Sequence, residues 1–377
     1  MSRIIPPGST IGILGGGQLG RMMALSARYM GYNIAVMEPS KNSPCGQIAD
    51  HEVIATYNDI EGARELAKLS DVLTYEFENI SAETAKWIEE NANLPQGSDL
   101  LLTTQHRGTE KKAIENLGTK VAPYMLIDTV HDLLKGVKNI GIPSVLKTCR
   151  GGYDGKGQYL IKSPEDIEIA YESLKGKGQL VLEQWIPFEL EVSVIVTRNQ
   201  VGEVTTFPVG ENIHINQILH ATIVPARVDE EVIIEAQKIA IELARGLNLV
   251  GTLAVEMFVT ETGEIYVNEL APRPHNSGHY TIEACETDQF EQHIRAICNL
   301  PLGSTQLLKP SIMVNILGEH MHKVLENLDK LSDYHLHLYG KKEAKTGRKM
   351  GHLTVIGESI EECMSKANEL GIWPELK

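Results

Sequence analysis

Two stretches crowd together residues able to do chemistry. The first is Arg150-Gly151-Gly152-Tyr153-Asp154-Gly155-Lys156-Gly157-Gln158, entered from an apolar segment that bears Lys147. Four glycines between Gly151 and Gly157 expose backbone amides and let the chain fold over a ligand. Lys147 and Lys156 add positive charge from the entering segment and from the loop. No Ser or Thr follows Gly155-Lys156 directly, so this is not a Walker A loop. It fits a flexible phosphate-covering loop whose lysines neutralise charge during phosphoryl transfer. A solvent-exposed basic hairpin is the bland alternative, and so many glycines suit it poorly.

The second stretch runs from Asn268 and Glu269 through Arg273 and His275 to His279. It is too rich in Pro and Gly for a helix and reads as a loop that clamps an anionic substrate. His275 and His279 would share a face only on a helix, which Pro274 and Gly278 oppose, so no zinc site is expected there. Glu256 and Glu269 sit on the two arms of an expected hairpin that turns at 260–263. Hard oxygen ligands a few ångströms apart on neighbouring strands suit magnesium bridging nucleotide phosphates. Two outward-facing acids are the alternative, but uncompensated carboxylates in apolar strands are costly.

Three further features are more ambiguous. Gly15, Gly17 and Gly20 match G-x-G-x-x-G between an expected strand and helix, with Gln18 inside the loop and Glu38 at the end of the next strand. Such a loop offers amides and a helix N-terminus to an anion; an NAD site and a tight structural turn remain open. Glu183-Gln184-Trp185-Ile186 ends an apolar strand and suits an adenine edge, with Glu191 near enough for ribose hydroxyls. Lys341, Lys342, Lys345, Arg348, Lys349 and His352 form a basic patch in an acidic chain. It reads as a small-anion site or a solvated turn; without interleaved aromatics, nucleic acid is disfavoured.

The elements that must position these residues follow from periodicity. Strands are expected at 10–14, 33–38 and 72–77, with helices at 21–29 and 60–70 and a third ending near 92. This alternation predicts an N-terminal α/β domain over 1–100. A helix at 109–117, strands at 142–148 and 179–184, and a helix opened by Ser163-Pro164 outline a small lid subdomain over about 120–185. It lies inside a central domain over 101–300, whose longest helix spans 230–247. Paired strands are expected at 189–197 and 201–207, and a helix at 288–298. A basic, strand-rich domain over 301–377 completes the chain.

Bulk properties narrow the function. At 377 residues with 42% apolar content, two or three domains are expected. Thirty-five basic against 50 acidic residues give a net charge of −15, which disfavours a general nucleic-acid surface. No apolar run reaches the roughly 18–20 residues needed to cross a bilayer. The start lacks an Ala-x-Ala-like cleavage site, so no signal peptide is expected. Five cysteines without a Cys-x-x-Cys pair point to a reducing, cytoplasmic setting. The alternately spaced pairs His320/His322 and His335/His337 read as exposed strand faces before they read as zinc ligands.

The segments GILGGGQLGRMM, TYEFENI, KTCRGGYDGKGQ, EQWIPFELEVSVI, NELAPRPHNSGHYTIEAC and GRKMGHLT, in this order along nearly the whole chain, resemble the 5-(carboxyamino)imidazole ribonucleotide synthases. These are ATP-dependent carboxylases of purine biosynthesis in the ATP-grasp superfamily. The resemblance implies an α/β fold of ATP-grasp architecture, with an N-terminal Rossmann-like (pre-ATP-grasp) domain and a small strand-rich C-terminal domain. It implies ATP and magnesium as cofactors, 5-aminoimidazole ribonucleotide and bicarbonate as substrates, a homodimer, and no nucleic-acid or membrane partner. Arg107, Lys147 and Gly152–Gln158 would contact ATP phosphates, Glu183–Ile186 adenine, Glu191 ribose, and His214 the nucleotide. Glu256 and Glu269 would hold magnesium beside Asn268. Arg273 and, less directly, His275 are assigned to the bicarbonate-derived group, with Lys156 and Asp154 in the catalytic set. Lys341, Lys345 or Arg348 would grip the ribonucleotide phosphate with the Gly15–Gly20 loop facing the same cleft. Tyr153, Asp154 and Glu76 would orient the imidazole. The competing reading, an NAD-dependent oxidoreductase on the Gly15–Gly20 loop, leaves Gly151–Gly157, Glu256 and Glu269 without a role.

Overall fold

A computed structural model describes residues 3–152 and 155–376; Tyr153 and Asp154 lie outside the described residues. Near the N-terminus four parallel strands stand in the order His51–Val53, Asn33–Met37, Thr10–Leu14, Val72–Tyr75. Their runs are almost uninterruptedly apolar because both faces are covered. Met22, Met23 and Ala27 from the helix Gln18–Tyr29 pack with one set, and Ala63 and Leu66 from the helix Ile60–Leu69 with another. Asp59 starts the second helix by accepting from the amides of Glu61 and Gly62, the usual carboxylate N-cap. The strand order reverses between Thr10–Leu14 and Val72–Tyr75. In open α/β sheets that is where a crevice forms beyond the strand ends, and the Gly15–Gly20 loop and Glu76 meet there.

The lid is a four-stranded antiparallel sheet in the order Tyr124–Ile127, Leu180–Gln184, Ser144–Thr148, Gln158–Ile161. Helices Val130–Ile140 and Asp166–Leu174 cover it through Leu133, Val137, Ile167 and Ala170. The second helix begins three residues after Ser163. Asp166 accepts from the amides of Lys162 and Ser163 at 2.8 and 2.9 Å, so Pro164 belongs to the turn that leads in.

The third sheet is the frame of the molecule. Its order is Ile265–Ala271, Gly251–Thr260, Phe188–Arg198, Gly210–Ile215, Ile218–Val224, Ser311–Leu317, Lys349–Ile356, Tyr334–Leu338, with Val204–Thr206 added beside Phe188–Arg198. The helix Glu230–Gly246 lays Val232, Ala236, Ile239, Ala240, Leu243 and Ala244 on it, the spacing of one helical face. The strands of the tail are not a separate sheet. Ser311–Leu317 pairs with Ile218–Val224, Ala221 opposite Val314, so a single sheet runs from the paired acids to the basic turn.

Candidate active site

The Gly15–Gly20 loop does hold an anion, but one from its own chain. The buried carboxylate of Glu76, just past the neighbouring strand, accepts from the amide of Gly17 and, at 2.6 Å, from that of Gly20. Glu38 accepts from the Gly16 amide at 2.9 Å and from the Tyr57 hydroxyl. A Cβ at Gly17 would collide with Glu76, so the glycines here serve close approach of that side chain. This corrects the expectation of a free amide nest at Gly15 and Gly17. It also removes the basis for a dinucleotide, because the Glu76 carboxylate takes the loop amides that a pyrophosphate would need. Burial pushes Glu76 up while the two amides pull it down, and the net shift is upward. Gln18 remains partly exposed at the mouth of the loop.

Glu256 and Glu269 stand directly opposite each other on Gly251–Thr260 and Ile265–Ala271. The register slips immediately afterwards, Met257 pairing with Val267, so Asn268 and Glu269 together face Glu256. A bulge of this kind re-aims side chains. Asn268 Oδ1 is buried without a hydrogen-bond partner. Two carboxylates and an orphaned amide oxygen make an all-oxygen donor set of the sort magnesium takes. Burial and the charge of Glu269 raise the pKa of Glu256. Glu269 is only partly covered, with 40% of its side chain exposed; desolvation raises its pKa, but Arg107 and Lys147 outweigh that cost and hold it below the usual range. Arg107 Nη1 lies 3.2 Å from Glu269 Oε2.

Lys147 brings a second cation to this wall. Its Nζ donates to Glu183 Oε2 at 2.9 Å, and Lys111 Nζ lies 3.3 Å from the same oxygen. Glu183 is raised by burial but lowered more by Lys147 and Lys111, to about 2. Removing this carboxylate would strand two buried cations, a loss of about 3–5 kcal/mol for a broken buried pair. The Glu183 side chain is therefore committed to lysines rather than to an adenine edge. The amides of Gln184 and Trp185 bond to the carbonyls of Pro123 and Pro143, and Ile186 is buried beside them. Glu191 Oε1 lies 3.2 Å from His214 Nδ1. Burial lowers His214, but the Glu191 contact outweighs it and the net shift is upward.

The glycine-rich loop starts where the Arg107 amide donates to the Cys149 carbonyl at 3.0 Å. The Thr148 amide donates to the Gly157 carbonyl at 2.9 Å. Gly151, Gly155 and Gly157 all have φ near +75°, a region where side chains are strained. Gln158 and Gln217 are joined at 3.0 Å, fastening the loop's far end to the central sheet.

In the 268–279 loop, Arg273 Nη2 lies 2.8 Å from Glu78 Oε1, and its Nε is buried without a partner. Arg273 also lowers the charge cost at Glu76, so it faces the crevice of the first sheet. His275 Nε2 lies 3.5 Å from Glu256 Oε1. His279 points elsewhere, buried against Phe290 and His352. His337 pairs with Glu283 at 2.6 Å and His320 Nδ1 accepts from the Leu317 amide at 3.1 Å.

The basic turn abuts the N-terminal sheet. Gln47 Nε2 donates to the Gly340 carbonyl at 2.9 Å, and Arg21 bonds Gln47 at 3.0 Å. Lys341 Nζ donates to the Lys349 carbonyl at 2.6 Å. Lys345 lies 2.8 Å from Glu343, and Arg348 donates to the Glu343 carbonyl at 3.0 Å. Glu343 thus offsets part of the cluster's self-repulsion. Lys345 and Arg348 remain exposed.

Lys111 and Glu110 were not legible as site residues. Lys111 is almost fully buried, and Glu110 accepts from the Leu270 amide at 2.7 Å. One signal was available: Lys111 follows Arg107 by four residues, which places both on one helical face.

Three family models match the chain. They are the Ribonucleotide synthetase preATP-grasp domain over residues 9–105, the ATP-grasp domain over 112–290, and the Phosphoribosylaminoimidazole carboxylase C-terminal domain over 311–366. The chain is 56% identical over 364 residues to the N5-carboxyaminoimidazole ribonucleotide synthase of Bacillus subtilis, covering 97% of this chain and 96% of that protein. A solved Staphylococcus aureus N5-carboxyaminoimidazole synthetase complexed with ADP is 41% identical, with a TM-score of 0.94 and 98% of both chains covered. The Aspergillus clavatus synthase in complex with ADP and 5-aminoimidazole ribonucleotide is 33% identical, with a TM-score of 0.90, covering 96% of this chain and 97% of that one.

Proposed function

The chain belongs to the N5-carboxyaminoimidazole ribonucleotide synthases of the ATP-grasp superfamily, and we propose that the cleft lined by its lid, its nine-stranded sheet and the crevice of its first sheet carries out their reaction. It is an ATP-dependent ligase of purine biosynthesis. ATP phosphorylates bicarbonate to carboxyphosphate, with release of ADP. Carboxyphosphate yields carbon dioxide and phosphate, and the exocyclic amine of 5-aminoimidazole ribonucleotide attacks the carbon to form the carbamate, losing a proton. The observation that carries this reading is the wall where Arg107, Lys147 and Lys111 meet Glu183 and Glu269, opposite Glu256 and next to the loop of Arg273.

Within that cleft Arg107, Lys147 and the Gly152–Gln158 loop, including Lys156, neutralise ATP phosphates. The 183–186 strand end and Glu191 with His214 receive the nucleoside. Glu256, Glu269 and Asn268 hold magnesium, which when bound screens the charge between transferring phosphoryl oxygens. Arg273, with one nitrogen on Glu78 and another unpartnered, holds the bicarbonate-derived group, and His275 borders it. Lys341, Lys345 or Arg348 grips the ribonucleotide phosphate, and the imidazole end is assigned to Gln18, Glu76, Tyr153 and Asp154, Glu76 acting by holding the Gly15–Gly20 loop in place. Closure of the lid excludes water from a labile intermediate.

The five free, buried cysteines support a cytoplasmic setting. No helix among the described residues is long and apolar enough to cross a membrane. Leu25 and Tyr29, one turn apart on Gln18–Tyr29 and exposed, support a homodimer contact. The deciding experiment measures ADP release with bicarbonate and 5-aminoimidazole ribonucleotide, each omitted in turn. Release that is indifferent to both substrates rejects the reading.

A further inference from the structure

His275 begins the short turn Asn276–Gly278 with its own ring: Nδ1 accepts from the Ser277 amide at 3.3 Å. The same nitrogen lies 2.9 Å from Ser277 Oγ, which accepts from Ser193 Oγ at 2.8 Å. A backbone N–H can only donate, so Nδ1 presents a lone pair. The Ser277 hydroxyl, already accepting from Ser193, turns its own proton to that lone pair. A neutral imidazole with Nδ1 as acceptor carries its proton on Nε2. Nε2 faces Glu256 Oε1 at 3.5 Å, the limit of hydrogen-bond reach. The N–H is therefore aimed at the paired acids on a contact too long to saturate it.

The backbone beneath the ring is held as firmly. Gln289 is fully buried. Its Oε1 accepts from the His275 amide at 2.8 Å, and its Nε2 donates to the His275 carbonyl at 2.8 Å. A Cβ at Gly278 would come within 2.5 Å of Gln289 Oε1, so glycine there is what admits the amide. The backbone N–H of Gln289 in turn donates to Thr281 Oγ1 at 3.0 Å.

We propose that Ser277, backed by Ser193, holds His275 as its Nε2–H tautomer and that Gln289 fixes the backbone it projects from, so that His275 acts as a preset hydrogen-bond donor to the bicarbonate-derived oxygens and not as a base. The inference rests on the reading that His275 borders the reacting group. In this tautomer Nε2 has no lone pair with which to take a proton. A donor already aimed where negative charge develops needs no reorganisation at the moment of reaction. Ser193, Ser277 and Gln289 are positioning residues.

The test uses the full-length protein labelled with 15N-histidine. Long-range imidazole 15N–1H correlation reports the tautomer, with His275→Asn assigning the signal. The wild type is expected to show the Nε2-protonated pattern. Ser277→Ala removes the shorter contact to Nδ1 and leaves only the backbone amide at 3.3 Å, so it should weaken the preference for the Nε2–H tautomer and lower kcat roughly tenfold, the lower end of the cost of removing a partner behind a ligand, with KM for ATP unchanged. Ser193→Ala leaves Ser277 in place and should shift both readouts the same way by less; it decides the matter should Ser277→Ala fail to fold. His275→Gln places an amide donor near the Nε2 position and should retain more turnover than His275→Asn. An Nδ1-protonated wild type overturns the proposal. So does a Ser277→Ala protein with unchanged tautomer and kcat, or a His275→Asn protein as active as His275→Gln but slower than wild type. Should the tautomer be as expected while both His275 variants turn over at the wild-type rate, the placement of His275 beside the reacting group is what fails, and the donor role fails with it.

Discussion

Arg107 and Glu269 are joined across 3.2 Å although 162 residues separate them in the chain. The pair links the first turn of the helix Arg107–Asn116 to the bulged strand that carries the candidate metal ligands. Because Glu269 is tied to a cation on one side and faces Glu256 on the other, its charge sets the electrostatics of both phosphate and metal positions.

Glu269→Gln should therefore abolish most turnover while the protein stays folded. A loss of about 10²-fold or more is expected, the scale of removing one preorganised electrostatic contact. Product formation measured across a range of magnesium concentrations checks this, with the melting temperature as control. Near-normal turnover at low magnesium would remove Glu269 from the metal site.

Gly155 has φ of +74°, and a Cβ there would overlap the side-chain amide of Gln217. A β-branched residue at this position is strained by roughly 1–2 kcal/mol, but the strain sits in a loop outside the hydrophobic cores. Gly155→Val should impair turnover at saturating ATP far more than it lowers the melting temperature of the free protein. Unchanged turnover rejects the loop's role as a phosphate cover.

Arg348 is exposed, with Nη1 on the Glu343 carbonyl, and its fork suits a phosphate held by two parallel hydrogen bonds. Arg348→Met keeps much of the apolar stem and removes the charge. Apparent affinity for the ribonucleotide should fall by about 1.5–3 kcal/mol, the scale of a charge-assisted hydrogen bond, with ATP affinity little changed. The dephosphorylated substrate should be used equally poorly by both proteins. A variant that still strongly prefers the phosphorylated substrate, with unchanged saturation, passes the role to Lys341 or Lys345.

His293 locks the first sheet to the central one. Its Nδ1 accepts from the Thr252 amide at 3.1 Å, and Nε2 lies 2.8 Å from Thr74 Oγ1. Burial lowers its pKa to about 3, below its unfolded value of about 6.5. The unfolded chain therefore binds the proton first. The stability contributed by neutral His293 is fully present above about pH 6.5 and is lost as pH falls toward 3, by at most about 1.4 kcal/mol per pH unit. His293→Gln should be destabilised at pH 7.5, and its deficit in melting temperature should narrow by pH 5. A deficit that is the same at both values contradicts a buried neutral ring.

The sequence alone determined the elements, the order of the chemistry-bearing loops and the identity of the family. These depend on local information: periodicity marks the strands and helices, and glycines announce backbone approach wherever they cluster. The Glu256–Glu269 hairpin was legible for the same reason, since its arms are separated by one short turn. What needed the folded molecule is every pairing across long separations. That the Gly15–Gly20 loop would be filled by Glu76 depends on strand order, which periodicity does not encode. Glu183 reads as a strand end until two lysines from other elements converge on it. That the strands of the C-terminal domain continue the central sheet also needed the fold, because it depends on the edges at Ile218–Val224 and Ser311–Leu317 completing each other. Buried carboxylates and cations choose partners by distance in three dimensions, because the cost of leaving a charge unpaired in a low-dielectric interior far exceeds any local preference.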